Sequence, residues 1–230
     1  MVAGLKNQGE YKISKNQHMG RNLDAKCKQC RRIGEKLFLK GERCNSPKCA
    51  MVKRNYPPGF HGQKGKKRQS DYGLQLTEKQ KAKKQYNLLE KQFKLTFYRA
   101  QKQSGDAGEN LLKLLETRLD NVVYRLGLAS SRVQSRQLIS HGHIRVNDKK
   151  VNIPSYEVKQ GDVIRVKSGS KKYKYFRELL EKLTKAKETA APGWLNLNSK
   201  ELSGKILHQP GLKDINTNIN TQMIIEYYSK

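Results

Sequence analysis

Residues 114–166 read LLETRLDNVVYRLGLASSRVQSRQLISHGHIRVNDKKVNIPSYEVKQGDVIRV, and the spacing of their apolar side chains changes once, near Gly142. Before that glycine, Leu115, Leu119, Val122, Val123 and Leu126 fall at i, i+4, i+7, i+8 and i+11, one buried stripe of a helix that starts after Gly105–Gly108. Ser131-x-x-Gln134 is a capping box for the next helix, which ends at Gly142. After it the period is two. Ile144-Arg145-Val146, the turn Asn147-Asp148, Lys149–Ile153 and, after Gly161-Asp162, Val163–Val166 predict a small antiparallel sheet packed on two helices. The fold class is α+β.

Working outward, Thr77-x-x-Gln80 predicts a helix reaching Gln101, with Leu88, Leu89, Phe93 and Phe97 inside and Lys79, Lys83, Lys84, Lys91 and Lys94 on a basic face. A charged helix is expected over Tyr173–Lys187, then a loop at Ala191-Pro192-Gly193-Trp194, and a strand at Met223–Tyr228. Residues 55–73, NYPPGFHGQKGKKRQSDYG, combine Pro57-Pro58 with four glycines and must be irregular. A loop this long in a compact domain is more often functional than idle.

The chain carries 48 Lys+Arg against 20 Asp+Glu, a formal net charge of +28 in 230 residues. Residues 1–70 hold 18 of those cations and 4 acids. Such a charge repels itself unless a polyanion neutralises it, so nucleic acid is the expected partner. No stretch approaches the ~20 apolar residues of a membrane span, and no membrane association or homo-oligomer is expected. Residues 1–19 are polar, without the apolar run of a signal peptide, so a cytoplasmic location is expected.

Four cysteines follow C-x2-C-x13-C-x4-C: Cys27, Cys30, Cys44 and Cys49. Close thiolate pairs across a short loop suit the tetrahedron of one structural Zn2+, and a site closed by four cysteines leaves no open position for hydrolysis. An iron–sulfur cluster uses the same ligands, and two disulfides would need an oxidising compartment. The apolar content before residue 55 is too low to offset the entropy of ordering, so metal would supply part of the folding energy.

The segment 114–166 resembles the small RNA-binding module named after the fourth protein of the small ribosomal subunit. CKQCRRIGEKLFLKGERCNSPKCAMVKRNYPPGFHGQKGKKRQSDYG, TEKQKAKKQYNLLEKQF and the ending IIEYYSK resemble that ribosomal protein family itself, in its metal-bearing bacterial form. The likeness runs from about Met19 to Lys230; residues 1–18 lie outside the pattern. It implies a non-enzymatic constituent of the small subunit that binds the 5′ domain of small-subunit (16S) rRNA at a multi-helix junction, early in assembly of the body. It also implies contact with the fifth ribosomal protein of that subunit, an influence on decoding accuracy and a place at the mRNA entrance. Five segments follow: a flexible basic extension (1–19), a four-cysteine metal module (20–55), a basic loop and helical domain (56–110), an inserted RNA-binding module with its following helix (111–198), and a C-terminal segment returning to the helical domain (199–230).

Within the module, Arg118, Asn121 and Arg125 lie at i, i+3 and i+7, and Arg132 and Arg136 at i and i+4, so two helices sharing one core would present them on one RNA-facing surface. Glu116 and Asp120 are their nearest carboxylates should that face be merely solvated. His143 and Arg145 on the first strand, Lys83 and Lys84 on the basic helix face and Tyr72 in SDYG complete the candidate rRNA contacts. Lys64, Lys66, Lys67 and Arg68 are candidates for the mRNA entrance. Two rival readings are weaker. Arg118-Leu119-Asp120 resembles the context of a pseudouridine synthase aspartate, but it falls inside a helix face without a pocket or a second catalytic domain. A zinc-finger DNA binder would place a recognition helix beside the metal, not Gly/Pro-rich loops. No G-x-x-x-x-G-K-[ST] occurs, and the five histidines lack partners at informative spacing.

Overall fold

The computed structural model describes residues 22, 24–65, 68–185, 191–215 and 217–229. The expected module is present. Ser131 accepts a hydrogen bond from the Gln134 amide and opens helix α8 (Arg132–Ser140), while Gln134 reaches back to the Ser130 amide at 2.8 Å. Strands β1 (Ile144–Val146) and β2 (Lys149–Lys150) form a hairpin whose turn residues, Asn147 and Asp148, both have positive φ. β3 (Val163–Val166) pairs antiparallel with β1.

The sheet does not stop there. β4 (Leu195–Asn198) and β5 (Ser203–Ile206) form a second hairpin, giving five antiparallel strands in the order β2-β1-β3-β5-β4. The segment expected to be a loop around Trp194 thus leads into a strand, and residue 198 falls inside a hairpin. Gly204 lets β5 pass under the core: a Cβ there would sit 2.5 Å from Leu126 Cδ2. Trp194, Phe176, Ile164, Val166 and Ile206 fill that core with Leu119, Val122, Val123 and Leu126.

The apolar stripe from Leu115 to Leu126 is shared by two helices, α6 (Ala107–Glu116) and α7 (Leu119–Arg125). Arg118 between them is extended and bridges Glu157, and the Leu119 and Asp120 amides donate to Tyr156 and Pro154 carbonyls. One stripe therefore serves two cores. Leu111 and Leu115 enter a helical core with Ala82, Tyr86, Leu88, Phe93, Phe97, Ala100 and Ile224.

That helical core corrects two further expectations. The helix expected from Thr77 to Gln101 is α4 (Asp71–Gln85) followed by α5 (Glu90–Gln101). Ser70, not Thr77, caps α4; Thr77 bonds the Gly73 carbonyl within the helix. The break comes at Asn87, whose left-handed φ of 54° reverses the chain so that Tyr86, Leu88 and Phe93 all point into one core. The strand expected at Met223–Tyr228 is helix α10 (Thr221–Ser229). β-branched and aromatic residues suggested a strand, but Ile224 and Tyr228, four apart, share a helical face on the α-helical core, where no sheet edge is available. Tyr228 donates to Glu90, which also holds Lys79 at 2.7 Å and Lys83 at 2.6 Å. Burial would raise the Glu90 carboxyl, but these two ammonium groups bring it down to about 2.

The cysteine region contains α1 (Lys26–Ile33), stopped by Gly34 at φ 95°, and the short helices α2 (Glu42–Asn45) and α3 (Ala50–Lys53). Its core is small: Cys30, Ile33, Leu37 and Leu39, with Met51 against them. The charged helix α9 (Lys174–Lys185) lies over the module, and its Lys182 pairs with Glu42 at 2.9 Å. Among the described residues no helix is long and apolar enough to cross a membrane.

Candidate nucleic-acid interface and cysteine cluster

The structure brings Arg118, Asn121, Arg125, Arg132 and Arg136 together, but not on an open face. They line the seam between the helical core and the module. Glu116, at the end of α6, is buried and accepts from Tyr86 Oη (2.6 Å), Asn121 Nδ2 (2.7 Å) and both Nε and Nη2 of Arg125 (3.0 and 2.7 Å). Asn121 Oδ1 in turn accepts from Arg132 Nε at 2.8 Å, and the Arg132 guanidinium lies 4.7 Å from the ring centres of both Tyr86 and Tyr124. Arg118 makes a two-point bond to Asp120, and Arg136 Nη1 donates to the Asn87 carbonyl at 3.0 Å. Arg118, Arg132 and Arg136 are 7–8% exposed.

The expectation of one solvated arginine surface is thereby corrected. The stripe faces two cores and not one, so the opposite side of α7 is covered by the end of α6 and the α4–α5 turn. The electrostatics agree. Burial would raise the Glu116 carboxyl, but Arg125 and Arg132 hold it below the ordinary range. Burial and the adjacent Glu116 push the Tyr86 phenol well up. Burial lowers Arg136. Sequence reading missed Tyr86, Asn87 and Tyr124 as parts of this network; the available signal was a carboxylate set inside an apolar stripe.

The other candidates are scattered. His143 is half-buried, with Nδ1 3.0 Å from Ser170 Oγ, and is lowered by burial and by His141 and Lys167. Arg145 lies on β1 near the Asp148 carbonyl at 3.4 Å. Tyr72 is exposed beside Tyr227, with ring centres 5.7 Å apart. Lys83 is paired with Glu90. Lys64 and Arg68 are exposed, whereas Lys66 and Lys67 lie outside the described residues, as does the extension 1–19. Lys84 is different: with Lys28, Arg32 and the acid Asp24 it lines a groove of about 360 Å3 between α1 and α4. Burial lowers the Lys84 ammonium, and the nearby charges of Arg32 and Lys83 lower it further. The motif Arg118-Leu119-Asp120 offers no catalytic carboxylate, since Asp120 is buried and closed off by Arg118.

All four cysteines are free thiols, three of them buried. Burial raises the Cys30 thiol, a backbone bond from Leu37 opposes this, and the charges of Cys44, Cys27 and Cys49 raise it again. The Lys40 amide donates to Cys44 Sγ at 3.3 Å. Among the described residues, no three His, Cys, Asp or Glu side chains are grouped as a metal centre.

The chain is thus a helical body joined through a buried polar seam to a module of two helices and an antiparallel sheet, and its family matches are to ribosomal proteins. Residues 21–116 match the family described as "Ribosomal protein S4/S9 N-terminal domain", and residues 117–164 match the "S4 domain". The two matches meet at the break between α6 and α7. The chain is 54% identical over 212 residues to the small ribosomal subunit protein uS4 of Clostridioides difficile, and 52% identical to the uS4A protein of Alkaliphilus metalliredigens. It is 53% identical to the uS4 protein of Acetivibrio thermocellus over 216 residues. Each comparison covers 92% of this chain and 100% of the relative. The chain belongs to the uS4 family of small ribosomal subunit proteins, a family of structural proteins and not of enzymes.

Glu116→Ala would leave Tyr86, Asn121 and Arg125 without their shared acceptor, and uncompensated buried charge costs about 3–5 kcal/mol. The urea midpoint should fall accordingly. Because the folded carboxyl sits below its unfolded value of about 4.3, the network's contribution is complete above that pH and is lost as pH falls through the lowered folded value. The variant should show a flatter acid limb.

Proposed function

We propose that this chain binds small-subunit (16S) rRNA directly, in the 5′ domain, and organises assembly of the subunit body within the cytoplasmic ribosome. The observation that carries this reading is the gathering of Lys28, Arg32 and Lys84 around one groove whose lining holds a single acid, Asp24; burial and then the charges of Arg32 and Lys83 lower the Lys84 ammonium, and a phosphate seated there would oppose both. The seam arginines act behind this surface: they fix how two basic bodies are set relative to one another, so that RNA is recognised by shape. Tyr72, Lys83, His143 and Arg145 extend the contacts, and the fifth ribosomal protein of the subunit is the expected protein neighbour. Influence on decoding accuracy follows from that shared position. Replacing Lys28, Arg32 and Lys84 by Gln should weaken rRNA binding and reduce the magnitude of the log–log salt slope by roughly one per lost phosphate contact. An unchanged slope with an intact fold would remove the groove from the interface.

The four cysteines are read as ligands of a structural zinc, although among the described residues no three of them are drawn together as a metal centre. The donor set fits in chemistry: four soft ligands, none in a disulfide, with the Lys40 and Leu37 backbones bonding two of the sulfurs as they would thiolates. An iron–sulfur cluster would use the same four residues. When bound, the ion would fasten a region whose own core is four side chains. Cys44→Ser should release about one equivalent of metal and loosen residues 22–55, while the module, which shares no ligand, stays folded. Metal retained in full by that variant would exclude the site.

The basic loop is read as the part that reaches message near the entrance. Lys64 and Arg68 are exposed, in a stretch whose prolines and glycines keep it out of either core. A cationic loop holds single-stranded phosphates without reading bases, which favours an opened hairpin over a closed one. Changing Lys64, Lys66, Lys67 and Arg68 together to Gln should leave subunit yield near wild type but slow translation through downstream hairpins in proportion to their stability. A subunit-assembly defect without hairpin delay would instead assign the loop to rRNA.

A further inference from the structure

Phe60 has no covering. Its side chain is 96% exposed, whereas the next most exposed large apolar residue among those described, Val52, reaches 59%. The surrounding loop is nonetheless firmly built. Gly62 N–H donates to the Gly59 carbonyl at 3.1 Å, and His61, at φ −89° and ψ 7°, occupies the third position of a type I turn. Gly62 packs so closely that a Cβ there would lie 1.9 Å from the Pro57 carbonyl oxygen. Arg31 on α1 ties down the entry to the turn: Nε donates to the Tyr56 carbonyl at 2.9 Å, Nη2 to Pro57 at 3.3 Å, and the guanidinium lies 4.7 Å from the Tyr56 ring centre. The Phe60 ring is propped on one side by His61, edge-on with centroids 5.1 Å apart and planes at 87°. Its remaining surface meets water.

The partner that fits has two properties. It offers a single flat apolar face, because Phe60 stands alone and not in an apolar patch. It also carries negative charge on either side, because residues 53–68 hold six Lys and Arg and no Asp or Glu. An unpaired nucleobase flanked by its phosphates has both. A hydrophobic protein surface would want more than one isolated ring, and a membrane would want an amphipathic face. The clamp through Arg31 fixes the backbone that enters the turn, so the loop presents Phe60 from an ordered base.

We propose that Phe60, propped by His61, is a stacking platform for an unpaired base of small-subunit rRNA, anchoring the loop whose later cations reach onward. This rests on the rRNA-binding reading above. The platform adds no phosphate contact, so its loss changes affinity and leaves the salt slope alone.

The test uses the full chain with small-subunit rRNA. Phe60→Ala and Phe60→Leu should each weaken binding about tenfold, and Phe60→Trp should stay within about twofold of wild type, since stacking needs a π face and not merely apolar volume. The salt slope should be the same in all four proteins. The introduced indole should also lose emission on rRNA binding, against a background from Trp194, which is buried. Wild-type affinity in the Ala variant, or full rescue by Leu, would overturn stacking. Quenching seen only when single-stranded message is added to assembled subunits would overturn the rRNA assignment. Absence of salt-dependent rRNA binding by the wild-type protein would sink the underlying reading as well, and is distinguishable because it appears without any substitution.

Discussion

The Glu116 carboxylate, with four donors converging on it, is the constraint on which the arrangement of this molecule depends. It terminates α6, which belongs to the helical core, and it is held by Arg125 and Asn121 from α7, which belongs to the module. A charge taken out of water is tolerated only when its lone pairs are filled, and here they are filled from both bodies at once. The extended link at Arg118, tied to the segment 154–158 by backbone hydrogen bonds, leaves α7 little freedom to choose another direction. The two cores are therefore fixed at one orientation by a polar joint and not by a continuous apolar one.

This joint changes what the basic residues mean. Several arginines that would otherwise count towards an RNA-binding face are consumed by internal acceptors: Glu116, Asp120, the Asn121 amide and the Asn87 carbonyl. Lys79 is spent in the same way, beneath the Tyr227 ring and on Glu90. The charges that remain for a polyanion are those where cations outnumber the acids beside them, as around Lys84, where Lys28 and Arg32 share a groove with Asp24 alone. In a chain of net charge +28, the discriminating observation is not where cations are but which lack an internal counter-ion.

The cysteine region obeys a different economy. Its apolar cluster is small, and its contacts to the rest run through polar links such as Lys182 with Glu42 and Lys81 with Glu35 at 2.9 Å. Such a region has little apolar burial to offset the entropy of ordering it. Arg31 ties the Pro/Gly loop, which has no core of its own, to α1 through the Tyr56 and Pro57 carbonyls.

By itself the sequence determined the module. The strand expected over Lys149–Ile153 pairs only at Lys149–Lys150, whereas the capping box at Ser131, the strands Ile144–Val146 and Val163–Val166 and the turn at Asn147-Asp148 are set by interactions within a few residues and appear where local rules place them. So is the family, through motifs such as the cysteine spacing and PPGFHGQKG. Tertiary structure decided the rest, wherever a residue's fate depended on a distant partner. The stripe from Leu115 to Leu126 has helical spacing throughout, and nothing local shows that its two ends enter different cores. The end of the chain has strand-like composition, but Ile224 and Tyr228 meet a helical groove and form α10. β5 is recognisable only through its pairing with β3, some forty residues earlier in the chain. The arginines of α7 and α8 sit at surface spacing, yet the α4–α5 turn, reversed at Asn87, covers them. Periodicity reports which face of an element is apolar; it does not report what arrives to cover the other face, because that is settled by burial energies summed over the whole chain.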